Sequence, residues 1–158
     1  MKPVRVLFVC LGNICRSPLA EGVLRALAEQ KGLAPALEVD SAGTGAWHIG
    51  DPPDSRSIKV ALRHGIDISA LSGRQVRLED FRDFDLLLGM DENNVRTLKR
   101  QAPEGTAEKV HLFLRYASGL GQDVPDPYYD GPEAFEALYQ MLEAGCSSLL
   151  ERFGDRAS

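Results

Sequence analysis

Positive charge is scarce. Eighteen lysines and arginines face 23 aspartates and glutamates, a net charge of −5 at pH 7. Nucleic acid is therefore not expected as a partner, because phosphate backbones select basic surfaces. Long apolar runs are missing too. No stretch approaches the roughly 18 residues of a membrane span, and the leading run Val4–Val9 is too short for a signal h-region. The three cysteines are an odd number, and a chain of 158 residues buries enough surface to need no disulfide or metal staple. The three histidines show no metal-ligand spacing. There is no internal repeat, low-complexity tract or long linker. These absences predict one domain over residues 1–158, in a reducing cytoplasm, with no membrane attachment and no metal or other cofactor.

Apolar runs alternate with helical patterns in the rest of the chain. Val4–Val9, Ala36–Gly43, Phe84–Met90 and Lys109–Leu114 read as strands, the first of them buried on both faces. Ser17–Lys31, Asp54–Gly65, Asp91–Gln101 and Pro132–Gly154 read as helices. Ala20, Val23, Leu24, Leu27 and Ala28 form the apolar stripe of the first, and Asp54 or Ser55 caps the second. Such alternation predicts an α/β fold: an open parallel sheet with helices on both faces. Ligands of open parallel sheets bind beyond the carboxyl ends of the strands. The unusual residues of this chain follow those ends.

The segment after the first strand, CLGNICRSP, is the most informative. A loop that enters a helix N-terminus can wrap its amides around an anion. Gly12 can supply a tight turn, with positive φ if needed, and Pro18 suits the first helical turn. No second glycine followed by Lys-Ser/Thr is present, so this is not a nucleotide-binding P-loop. It is a cradle for a phosphate-sized oxyanion, a phosphate-binding loop after the first strand. Arg16 would add a planar fork for two phosphate oxygens. Cys10 would lie on the floor, where the same amides and guanidinium favour its thiolate. A thiolate under a bound phosphate is placed for in-line attack, which implies a phosphocysteine formed and hydrolysed without metal. The competing reading makes Cys10 a small buried hydrophobe and Arg16 a surface charge.

CLGNICRSP resembles the active-site signature of the low-molecular-weight protein tyrosine phosphatases. The resemblance continues through DSAGT, HG, MDENN and DPYYDG and spans nearly the whole chain. It implies a four-stranded parallel sheet, with Cys10 as nucleophile and Arg16 as phosphate clamp. Leu11, Gly12, Asn13, Ile14 and Cys15 would form the loop, with Ser17 bonded to the thiolate. Asn13 would hold the strained loop, hydrogen-bonded by Ser41 and His64. The substrates implied are phosphotyrosine-containing proteins, and the product is inorganic phosphate.

A phenolate leaving group needs a proton, and water in the second step needs a base. Asp126, stiffened by Pro125 and Pro127, is the candidate for both; Asp130 fits a turn before Gly131, and Asp126 itself could be a turn aspartate. Tyr128 and Tyr129 could form one wall of a slot for an aromatic ring and Trp47 the other, or they could pack at a loop base. His64 either interacts with a helix dipole or supports Asn13. Cys15 either fills the loop interior or, as the resemblance implies, forms a reversible disulfide with Cys10. Asp91 reads as an N-cap, and the resemblance adds a contact to Arg16 or the nearby loop. His48 and His111 have no partner that can be named, and Cys146 reads as core.

Four other functions compete. Thiol-dependent arsenate reductase needs two further cysteines mid-chain, and residues 70–100 contain none. A sugar-transport phosphocarrier needs neither Arg16 nor Asp126. A phosphoprotein-binding module needs no nucleophile. Protein-arginine phosphatases of the same family carry threonine at the position of Ile14.

Overall fold

In a computed structural model the chain is described over residues 2–157. Four strands, β1 (Val4–Cys10), β2 (Leu37–Gly43), β3 (Leu86–Gly89) and β4 (Val110–Leu112), form one sheet in the order β2-β1-β3-β4. Every pairing is parallel. Central β1 carries the most continuous apolar run, and its residues Val6–Val9 are inaccessible to solvent. Among the described residues six α-helices follow the strands: α1 (Arg16–Gln30), α2 (Ser55–Arg63), α3 (Leu78–Asp83), α4 (Glu92–Gln101), α5 (Phe113–Ser118) and α6 (Pro132–Ala157).

Alternation along β1 splits the interior in two. Val6, Phe8 and Cys10 face a core shared with Leu19, Val23 and Leu24 of α1 and with Leu142, Cys146 and Leu149 of α6. Leu7 and Val9 face a smaller core with Phe81 of α3 and Leu98 of α4. The sheet is therefore covered on both sides, as the parallel pattern requires. Among the described residues, no helix is long and apolar enough to cross a membrane.

The structure differs from the sequence pattern at β4. The apolar run continues to Leu114, but the strand ends at Leu112 and α5 begins at Phe113. Periodicity does not separate a short buried strand from a buried helical turn. Packing decides here: Phe113 turns its ring edge-on to Phe8, centroids 5.3 Å apart. The short helix α3 also escapes the sequence pattern. The Arg77 N–H donates to Asp80 Oδ2 at its start, 2.8 Å away, and Phe81 anchors it in the smaller core.

Candidate active site

Cys10 is the last residue of β1, and α1 begins six residues later at Arg16. Cys15 is the N-cap of α1 and makes no side-chain cap bond, so the first-turn N–H groups stay open to an anion. Four carbonyls along this stretch are taken from outside. Cys10 O accepts from Thr44 N–H and Leu11 O from Gly45 N–H, both at 2.9 Å, and Ile14 O accepts from Asp54 N–H at 2.8 Å. Cys15 O accepts from the Ser57 hydroxyl at 3.3 Å. Among the described residues, the N–H groups of residues 11–15 find no protein acceptor. Peptide planes with outward carbonyls turn their amides inward, and the loop becomes a cup of donors above Cys10.

Gly43 makes room for this loop. A Cβ there would lie 2.9 Å from Leu11 O, so only glycine lets β2 pass beneath. The positive φ that Gly12 would allow is taken by Asn13 instead, at 57°. Asparagine is among the residues that tolerate this left-handed region. Its side chain is fully engaged. Nδ2 donates to Ser17 Oγ at 2.8 Å and Ser41 Oγ at 3.0 Å, and Oδ1 accepts from Arg74 N–H at 2.9 Å. Ser17 Oγ lies 3.0 Å from Cys10 Sγ. Gly12 serves differently: a Cβ there would meet His48 Cδ2 at 3.2 Å.

Arg16 is 3% exposed. Its Nη1 donates to Asp91 Oδ2 at 2.8 Å and Val124 O at 3.0 Å. Nη2 stands 3.7 Å from Asp126 Oδ2. One arm of the fork is thus pinned, and Nη2 and Nε remain for phosphate oxygens. Burial opposes the charge, but Cys10, the Asp91 hydrogen bond and charge, and Asp126 outweigh it and hold the guanidinium pKa above its ordinary value. Asp91 does both things expected of it: its Oδ1 caps α4 by accepting from Asn94 N–H at 2.8 Å, while Oδ2 holds Arg16.

A pocket of about 370 Å³ opens above the loop. Cys10, Leu11, Gly12, Ile14, Cys15 and Arg16 form its floor, and Trp47, His48, Asp126, Tyr128 and Tyr129 its walls. Tyr128 and Tyr129 meet edge-to-face, centroids 5.0 Å apart. Trp47 and Tyr129 stand out into solvent, 70% and 95% exposed. Asp126 Oδ1 accepts from Tyr128 N–H at 3.1 Å, a turn bond that leaves Oδ2 toward the pocket. Asp130 lies in the neighbouring turn, its N–H on Pro127 O.

His64 is the clear correction. It does not reach Asn13: its Nε2 is 3.0 Å from both Glu136 carboxylate oxygens and its ring stacks on Tyr139 at 3.7 Å. His64 caps the end of α2 and faces α6, so Arg74 N–H takes the place on Asn13 assigned to it. Cys15 lies in the floor as expected. Burial first, then Asp54, pushes its thiol up to about 12. Three residues carry no sequence signal for the site yet build it. His48 lines the wall with Nδ1 3.1 Å from Asp51 Oδ2, Arg74 braces Asn13, and Glu21 accepts from Ser41 Oγ at 2.7 Å. Their partners lie far off in sequence, and only folding brings them together.

The profile of the family described as "Low molecular weight phosphotyrosine protein phosphatase" matches residues 5–157. The Schizosaccharomyces pombe protein of that name is 46% identical over 143 residues, covering 89% of this chain and 91% of its own. A Bacillus subtilis low molecular weight protein-tyrosine-phosphatase is 43% identical, covering 93% and 94%. Among solved structures, an Entamoeba histolytica protein tyrosine phosphatase superposes with a TM-score of 0.91 at 35% identity, over 98% of this chain and 99% of that one. A Vibrio vulnificus protein in complex with benzylphosphonate superposes at 0.83 with 33% identity, over 94% and 98%.

Proposed function

The chain belongs to the low molecular weight phosphotyrosine protein phosphatase family, and on that premise we propose that it hydrolyses phosphotyrosine monoesters of proteins through a phosphocysteine on Cys10. The observation that carries this reading is the cup of inward amides above a buried sulfur, with the free side of Arg16 beside it.

The phosphate would settle on the loop amides and on Nε and Nη2 of Arg16. The Cys10 thiolate attacks phosphorus, forming the S–P bond as the bond to the tyrosyl oxygen breaks. Protonated Asp126 gives its proton to that oxygen, so tyrosine departs neutral. In the second step the Asp126 carboxylate takes a proton from water, the water oxygen attacks phosphorus, and the S–P bond breaks to release inorganic phosphate. The Ser17 hydroxyl steadies the departing thiolate. The pocket sets the aromatic rings of Trp47, Tyr128 and Tyr129 around a floor that holds Cys10, a lining that suits an aryl phosphate ester, and the Vibrio vulnificus relative was solved with benzylphosphonate, an aryl-bearing phosphonate. A reducing compartment such as the cytoplasm suits a site that needs a free thiol.

Ile14 bears on the choice between phosphotyrosine and phosphoarginine. It is half-buried in the pocket floor and offers a guanidinium no acceptor. Ile14→Thr is expected to raise the ratio of phosphoarginine to phosphotyrosine turnover by about tenfold, the weight of one hydrogen bond to a charged group. The two kcat/KM values on matched peptides measure it, and an unchanged ratio would contradict the role of Ile14. The arsenate reductase reading has no support: Cys146 is fully buried in the larger core, and burial pushes its thiol well up.

Cys15 is proposed as a resolving thiol. Peroxide would oxidise Cys10 to a sulfenic acid, and Cys15 would condense with it to a disulfide, releasing water. With its pKa raised, Cys15 stays a thiol and does not compete with Cys10 for phosphate. Cys15→Ser is expected to keep turnover within about threefold and to lose most dithiothreitol-recoverable activity after peroxide treatment. Equal recovery in both proteins would remove the role.

A further inference from the structure

We infer that Glu21 is a positioning residue for the second chemical step: through Ser41 and Asn13, its buried carboxylate fixes the hydroxyl of Ser17 in the direction of Cys10. This rests on the phosphocysteine reading of the site and extends it to a residue the mechanism does not otherwise use.

The chain of contacts is continuous and enclosed. Glu21 Oε1 accepts from Ser41 Oγ at 2.7 Å, Ser41 Oγ accepts from Asn13 Nδ2 at 3.0 Å, Asn13 Nδ2 also donates to Ser17 Oγ at 2.8 Å, and Ser17 Oγ is 3.0 Å from Cys10 Sγ. All five residues are at most 5% exposed. Water is therefore kept from reversing any of these bonds.

The proton directions follow from what each group is able to do. Two groups at the edges of the chain set the directions, Glu21 as the carboxylate that its 2.7 Å pairing with Arg25 favours, and the Arg74 N–H. An ionised carboxylate only accepts, and a backbone N–H only donates. Arg74 N–H therefore takes Asn13 Oδ1, which turns both amide hydrogens toward the two serines. Glu21 takes the single hydroxyl hydrogen of Ser41, whose lone pair is then presented to Asn13. Ser17 accepts from Asn13, and its own hydrogen is left for the sulfur. A hydroxyl already accepting a bond is a stronger donor, because hydrogen bonds in series polarise one another.

A buried carboxylate is costly unless paired. Arg25 Nη2 pairs with it at 2.7 Å on the side away from the relay. Burial nevertheless pushes the Glu21 carboxyl up, against the hydrogen bonds of Arg25 and Ser41. Glutamine would fill the same space more cheaply, but it offers a donor as readily as an acceptor. What glutamate uniquely supplies here is direction.

The test is a double-mutant cycle of Glu21→Gln and Ser17→Ala, with p-nitrophenyl phosphate as substrate. Its leaving group is good, so breakdown of the phosphocysteine is expected to limit kcat, which a burst of p-nitrophenolate in the first turnover checks. Weakening the Ser17 bond to the leaving thiolate should then lower kcat and KM together and leave kcat/KM unchanged. Glu21→Gln alone is expected to lower kcat about fivefold, the weight of one net hydrogen bond. In the Ser17→Ala background it should add nothing. A fall in kcat/KM would mark a merely distorted cradle and overturn the inference, as would multiplicative effects of the two substitutions or no effect at all. Should Glu21→Gln fail to fold, Ser41→Ala breaks the same link without touching the buried charge and takes its place, with the same expectations. A denaturing quench of the wild type separates the two levels. No phosphate on Cys10 overturns the phosphocysteine reading, whereas phosphate on Cys10 with multiplicative effects overturns only the part played by Glu21.

Discussion

Cys10→Ser is expected to lower kcat by about 10⁴-fold or more, while the protein still folds and still binds phosphate. The substitution is nearly isosteric, and the position is 3% exposed, so packing changes little. The loss is chemical. A serine hydroxyl holds its proton far more tightly than a thiol, and the cradle offers it no base. Among the described residues its hydrogen-bond partner is the Ser17 hydroxyl, 3.0 Å from the sulfur and itself committed to Asn13. Asp126 stands beside Arg16 Nη2, 3.7 Å away, and in the proposed mechanism it serves the tyrosyl oxygen rather than the nucleophile. Inward amides and the free arm of Arg16 remain, so a phosphate titration should give an affinity within about threefold of the wild type, consistent with a swap that leaves every donor in place. Retained turnover in a folded Cys10→Ser protein would place the nucleophile elsewhere.

Asp126→Asn should show the second largest effect, and its signature is selectivity rather than size. A general acid contributes about 10²- to 10⁴-fold, most where the leaving group most needs a proton. For phenyl phosphate and phosphotyrosine, whose phenolates leave poorly, kcat/KM is expected to fall by about 10³-fold. For aryl phosphates with strongly electron-withdrawing substituents the loss should shrink to about tenfold or less, since those anions depart without help. Asparagine keeps the turn bond to Tyr128 N–H through its own oxygen, so the loop is expected to stay in place. A plot of log kcat/KM against leaving-group pKa should therefore be steeper for the variant than for the wild type. Parallel lines would remove Asp126 as the acid.

The parts of this site that lie close together in the chain were legible in the sequence. The apolar run of β1, the turn-forming Gly12, and Pro18 in the first turn of α1 announce a strand, a bend and a helix start within fifteen residues, and Cys10 and Arg16 flank the bend. Asp91 was readable because an N-cap has a local pattern. The braces were not. Glu21 lies off the apolar stripe of α1 and carries no signal until β2 brings Ser41 against it. Arg74 acts through its backbone N–H, for which side-chain identity gives no signal. His48 gains its place on the wall only because the segment after β2 folds back over Gly12. Of the two readings of His64, the helix end before Gly65 holds and the support of Asn13 does not, because Glu136 and Tyr139 of α6, more than seventy positions away, claim its ring. At β4 an apolar run carried no mark of the point where strand gives way to helix, because both bury the same residues.

The most direct test is to look for phosphorus on sulfur. Wild-type protein turning over p-nitrophenyl phosphate in the presence of EDTA would be denatured within the first turnovers and its phosphate located by phosphorus NMR and by mass spectrometry of the Cys10 peptide. A phosphoryl group on Cys10, absent from Cys10→Ser and formed at full rate without metal, is the result expected. Sustained phosphate release with no phosphate on Cys10, or turnover that EDTA abolishes, would contradict the account.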